Sequence, residues 1–193
     1  MVSIRYFQHP PRYQILHCLR NQVLGGTSIF VDALHAASTL RATHPFDFDV
    51  LASTLVAFHY INDGHHLHYE HPTLELSDAL PSSTQRVIKH VNYSPPFQAP
   101  LLLSTPPVFY TALTRFAKLL NDPVNTYQYT LQEGDAVLFD NRRVLHARTA
   151  FSDVEGKGGD GETSRWLKGC YLEADALLDR GRVLRAKADH DLL

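Results

Sequence analysis

The sequence predicts a mainly β architecture, a β-sandwich or jelly roll carrying helical insertions. Many short β-prone runs are punctuated by Gly and Pro turns, only a few helical segments stand apart, and the pattern from residue 126 onward turns almost wholly to strands. With 193 residues, 44% hydrophobic and 20% charged, the chain is expected to fold as one domain spanning 1–193.

Taken in order, Tyr13–Leu19 is a short apolar run entered from Pro10-Pro11, which suits a strand. Gly25-Gly26 is a turn, and Thr27–Val31 reads as the second arm of a hairpin. Asp32 can cap a helix over Ala33–Arg41 that stops before Pro45, and a second helix is expected over Phe46–Ser53. A strand follows at Val56–Ile61, then a polar, His-rich loop over 62–72, then a strand from Arg86 to Asn92 broken by Pro95-Pro96. The clearest helix runs from Pro106 or Pro107 to Asn121, with Phe109, Leu113, Phe116, Leu119 and Leu120 at three- and four-residue spacing. Strands are then expected at Thr126–Leu131, Ala136–Phe139, Val144–His146 and Trp166–Leu172, with a mobile Gly-rich loop at 155–162 and a closing helix at Asp175–Arg185.

A net charge of −2 without a basic block excludes a surface that grips nucleic acid through phosphates. No apolar run approaches the ~18 residues of a membrane span. Met1–Phe7 lacks an apolar core for a signal peptide, so a cytoplasmic protein is expected. Cys18 and Cys170 sit in apolar, strand-like contexts and are expected to be buried free thiols.

The chemistry concentrates in Gln132–Phe151, which contains Asp140-Asn141-Arg142-Arg143-Val144-Leu145-His146-Ala147-Arg148. It continues in Ser164-Arg165-Trp166-Leu167-Lys168-Gly169-Cys170-Tyr171. A histidine at a strand end followed by an arginine on the next strand suits a site for iron and a keto acid. A neutral imidazole gives the metal one ligand, and a guanidinium takes a carboxylate through two hydrogen bonds.

With His9–Leu19, Gly25–Asp32 and Asn92–Pro96, these segments resemble the TauD/TfdA-like Fe(II)/2-oxoglutarate dioxygenases, within them the γ-butyrobetaine and trimethyllysine hydroxylase branch. The resemblance implies a double-stranded β-helix, incomplete at its N-terminus, and Fe(II) with 2-oxoglutarate as cosubstrate. It places the distal iron-binding histidine on His146. The arginine for the far carboxylate of 2-oxoglutarate falls on Arg165, the assisting hydroxyl on Ser28 and a cage tyrosine for a trimethylammonium group on Tyr171. The implied reaction is hydroxylation of a small molecule such as γ-butyrobetaine, as in carnitine biosynthesis. The family leaves room for a homodimer and for a mitochondrial location.

One departure stands out. The family's His-x-Asp pair, which completes two histidines and a carboxylate around iron, falls on Met1 and Ser3, both poor Fe(II) ligands. This chain is therefore either a shortened form of the enzyme or a non-catalytic relative that binds a small acid or a partner chain. His9 and His17 are the nearest substitutes, but His9 lies eight positions beyond Met1, ~26 Å if extended. Arg142, Arg143 and Arg148 compete with Arg165 for the carboxylate and otherwise read as solvated charge. His59, His65, His66, His68 and His71 lack zinc-site spacing and read as a surface cluster.

Overall fold

A computed structural model describes residues 4–78, 86–153 and 163–190. The expected insertion at 155–162, and Met1 and Ser3, lie outside the described residues.

Two three-stranded antiparallel sheets form the centre. The first is ordered β12 (Arg165–Leu172), β1 (Tyr13–Asn21), β9 (Ala136–Asp140), and the second β10 (Val144–Arg148), β3 (Ser28–Asp32), β8 (Thr126–Tyr129). Three ribbons complete the strands: β2 (Val23–Gly25) with β11 (Phe151–Asp153), β4 (Leu55–Asn62) with β5 (His65–Pro72), and β6 (Leu74–Leu76) with β7 (Ile88–Val91). The jelly-roll arrangement expected from the sequence is present.

Strand alternation divides the residues between faces. On the second sheet Val31 and Leu145 point to one side and join the core built on α1 (Ala33–Thr43), α2 (Pro45–Ser53) and α3 (Pro107–Asn121). The α3 stripe supplies Phe109, Phe116 and Leu120, fully buried against Leu40, Leu51 and Phe58. Each such side chain contributes roughly 1.5–3 kcal/mol by leaving water. Ser28, Phe30, His146 and Arg148 necessarily point the other way, toward the first sheet. Ring contacts bridge that gap: Phe30 to Phe139 at 5.6 Å and Phe139 to His146 at 5.2 Å.

Asp32 caps α1 as expected, its Oδ1 accepting from the amides of Leu34 (3.1 Å) and His35 (3.2 Å). The helix then runs two residues further than predicted, and the closing helix α4 covers Ala174–His190. Among the described residues no helix is long and apolar enough to cross a membrane.

Several expectations are corrected. Thr27–Val31 is not the return arm of a hairpin with β1: β3 pairs with β10 and β8, and β1 with β12 and β9. The Gly25-Gly26 turn instead carries the chain from one sheet to the other. The supposed polar loop 62–72 is the second strand of a hairpin turning at Asp63 and Gly64, both at positive φ (50° and 76°). Asp-Gly is a strong hairpin signal, obscured here by the surrounding histidines. His65, His66 and His68 are exposed on this ribbon, whereas His71 is buried with Nε2 2.9 Å from the Phe7 carbonyl. Cys18 is buried, but Cys170 is exposed: alternation turns it away from Tyr171 onto an uncovered outer face. Arg142 is buried and ion-paired with Glu75 (2.9 Å) rather than solvated, and Arg143 pairs with Asp32.

Candidate functional site

The sequence singles out His146, Arg165, Ser28 and Tyr171, and register puts all four on the inner faces of the two sheets. On β10 and β3 the direct pairs are His146 with Phe30 and Arg148 with Ser28. On the opposite sheet Tyr171 pairs with Gln14, which pairs with Phe139. His146 touches Phe139, so His146 and Tyr171 occupy the same level of the sandwich. Arg165 lies six residues from Tyr171 along β12, about 20 Å at strand rise, beside the Gly25-Gly26 turn.

His146 is mostly buried, and its Nδ1 has no hydrogen-bond partner. Burial pushes the imidazole down to about 4, so it is neutral at pH 7 and keeps a lone pair to offer. An unpartnered buried ring nitrogen beside two phenylalanines is costly unless something meets it. A transition-metal ion would fit as that something. Among the described residues, no group of three or more His, Cys, Asp or Glu side chains stands ready to hold a metal. Neither His9 nor His17 joins His146 in such a group.

Arg165 donates through Nη2 to the Gly26 carbonyl at 3.3 Å, and its Nε is buried without a partner. Its guanidinium lies over the Phe151 ring, 5.4 Å from the centroid. Gly26 sits at φ +67°, and a Cβ there would stand 2.9 Å from Arg165 Nε, so this turn needs glycine for both conformation and clearance. Ser28 is buried at the start of β3. The Ser28–Arg148 row is two residues, about 6.6 Å at strand rise, from the Phe30–His146 row. A five-carbon diacid spans a gap of that order.

Tyr171 takes a hydrogen bond from Gln14, and its phenol is raised by burial, with that bond and the Arg5 charge pulling it down. Arg5 was not singled out by the sequence. It is fully buried, donates to the Asn141 carbonyl at 2.6 Å, and leaves Nε and Nη1 unpartnered. Burial first, then the Arg142 charge, lower it to about 9. Arg5 carries no local sequence signal, because its partners Asn141 and Tyr171 lie more than a hundred positions away; Phe151 meets Arg148 three residues before it and Arg165 fourteen after it.

Beside His146 a cavity of about 390 Å³ opens between the sheets, walled by Phe30, Tyr127, Tyr129, Val137 and Phe139 with Asp135 at its edge. His146 itself does not line it, but Phe30 and Phe139, which both neighbour the imidazole, do.

The chain is 59% identical over 185 residues to dioxygenase str8 of Strobilurus tenacellus, covering 95% of this chain and 42% of that protein. It is 36% identical over 179 residues to the γ-butyrobetaine dioxygenase of a Pseudomonas species, covering 91% and 43%. It therefore spans less than half the length of these curated relatives. A taurine dioxygenase structure from Burkholderia xenovorans superposes with a TM-score of 0.61 at 22% identity, over 89% of this chain and 55% of that one, and shares the fold. The family model described as "Taurine catabolism dioxygenase TauD, TfdA family" matches residues 3–171. That match takes in every strand of both sheets up to Tyr171 near the end of β12, and with it the turn and strand ends just described: the chain belongs to the TauD/TfdA dioxygenase family.

Proposed function

We propose that residues 1–193 act as one unit of a 2-oxoglutarate-dependent dioxygenase that hydroxylates a small organic molecule. The observation that carries this is the arrangement along β10 and β3, where a buried imidazole with an unpartnered nitrogen stands one row from Ser28, toward the Arg165 end. Arg165 and Ser28 hold the far carboxylate of 2-oxoglutarate, and the keto-acid end lies toward His146. Fe(II), when bound with His146 as one ligand, supplies the oxidation of a C–H bond coupled to oxidative decarboxylation of the keto acid. The protein's own part is orientation and dryness. Phe30 and Phe139 exclude water from the imidazole, and Tyr171, fixed by Gln14, forms one wall for the substrate.

The identity to a γ-butyrobetaine dioxygenase supports a trimethylammonium substrate at Tyr171, where an aromatic face attracts a quaternary amine. The buried Arg5 charge acts against a cation there, so the substrate panel should begin with γ-butyrobetaine and include uncharged and anionic molecules.

A second reading is a non-catalytic domain that binds a small acid, since no group of three metal-ligating side chains stands together among the described residues. Fe(II)-dependent release of CO2 from 2-oxoglutarate by the 193-residue chain decides between them. Turnover lost in His146→Ala and Arg165→Gln supports the enzyme. Saturable binding of 2-oxoglutarate without turnover supports the second reading, and absence of both rejects the site.

A further inference from the structure

Two guanidiniums stand over the Phe151 ring. The central carbon of Arg148 is 4.5 Å from its centroid and that of Arg165 is 5.4 Å. A ring face holds a guanidinium by its quadrupole while leaving the N–H edge available to an anion. Arg148 leaves β10 two residues after His146, directly opposite Ser28, and so shares their inner face. Its Nη1 donates to the Thr149 carbonyl at 3.2 Å, and among the described residues no carboxylate pairs with it or with Arg165. Like charges gathered at one ring without an acid repel, and a bound anion relieves that repulsion.

We infer that Arg148 is the second cation of the carboxylate site, and that Phe151 is a positioning residue holding both guanidiniums toward Ser28. This rests on the reading of Arg165 as the carboxylate anchor and extends it. The chain's own register argues for it: Gly26, two residues before Ser28, accepts from Arg165, while Ser28 is the strand partner of Arg148, so all three residues meet at this turn.

The test uses calorimetric titration of the 193-residue protein with 2-oxoglutarate and with 2-oxobutyrate, which lacks the far carboxylate. Arg148→Gln should weaken 2-oxoglutarate about tenfold, as loss of one charge-assisted contact does. It should leave 2-oxobutyrate unchanged and flatten the salt dependence of binding. Arg148→Lys should recover most of the loss by restoring charge. Phe151→Leu should weaken 2-oxoglutarate several-fold while Phe151→Tyr does not, a contrast that simple destabilisation would not produce at equal thermal midpoint. If Arg148→Gln binds 2-oxoglutarate like the parent while Arg165→Gln does not, the inference falls and the anchor stands. If Arg165→Gln also binds like the parent, or the parent discriminates nothing between the two acids, the anchor falls too.

Discussion

Arg165 hydrogen-bonds the carbonyl of Gly26, a residue 139 positions earlier in the chain, at 3.3 Å. The contact ties the last strand of one sheet to the turn that feeds the first strand of the other. It depends on a glycine, because a Cβ at Gly26 would meet Arg165 Nε at 2.9 Å while forcing an L side chain to φ +67°. Gly26→Ala should therefore cost about 1–2 kcal/mol of stability, and should weaken 2-oxoglutarate more than 2-oxobutyrate by displacing the guanidinium. Urea unfolding and the two titrations check this; an Ala variant with both affinities intact would show that Arg165 does not need this seat.

Asp32 performs two tasks at the junction of β3 and α1. Its carboxylate caps the helix and pairs with Arg143 through both oxygens. Partial burial raises its pKa, but the Arg143 and helix-amide hydrogen bonds outweigh that and lower it. Asp32→Ala should lose about 1–2 kcal/mol, mainly the cap. Asp32→Asn keeps a capping oxygen and should lose only about 0.5 kcal/mol, since Arg143 is over half exposed and solvent screens its pair. Thermal unfolding at pH 7 separates the two; equal losses would assign the stability to the ion pair instead.

Acid should destabilise the protein through His90 on β7. Burial first, then the neighbouring Arg142 charge, push its imidazole down to about 4, with Glu75 pulling the other way. The unfolded imidazole titrates near 6.5. A folded value below the unfolded one means that the unfolded chain gains its proton first as pH falls. The stability from this group is then complete above about 6.5, declines as pH falls toward 4, and is level below that. After allowance for its half exposure, roughly 1–2 kcal/mol is involved. His71 shifts in the same direction, led by burial. Urea midpoints at pH 7 and pH 4.5 should converge more closely in His90→Gln than in the parent; an unchanged gap would move the effect to His146, which burial also lowers to about 4, or to His71.

What the sequence disclosed follows from how local each signal is. The α3 helix was legible because Pro107, its apolar stripe and Asn121-Asp122-Pro123 all lie within a few turns of one another. Asp32 was legible as a cap for the same reason. Strand partners were not, since pairing of β3 with β10 joins residues over a hundred positions apart and no local pattern encodes it. His146 and Arg165 came from the motif, which carries roles without contacts. Gly26 and Arg5 matter here only through neighbours brought by the fold, whereas Phe151 and Arg148 are sequence neighbours whose contact no motif announces. Arg148 read as a rival to Arg165 or as solvated charge, because spacing alone does not show that Phe151, three residues on, turns its ring face to it.

The metal affinity of this chain should be low and should rest on His146. The family resemblance implies that Met1 and Ser3, which lie outside the described residues, stand where a histidine and an aspartate supply the remaining ligands. One neutral imidazole leaves Fe(II) or Co(II) with mostly water around it, and even loss of outer support costs a metal site 10–100-fold. The parent should therefore bind Co(II) weakly, with that binding lost in His146→Ala. Met1→His behind an added initiator, together with Ser3→Asp, should tighten Co(II) at least tenfold and produce the absorption bands of a protein-bound ion. Those bands should change when 2-oxoglutarate is added, and Arg165→Gln should blunt that change without removing the metal. Tight Co(II) binding by the parent that survives His146→Ala would place the metal elsewhere, and the exposed histidines of the β4–β5 ribbon would be the first to mutate.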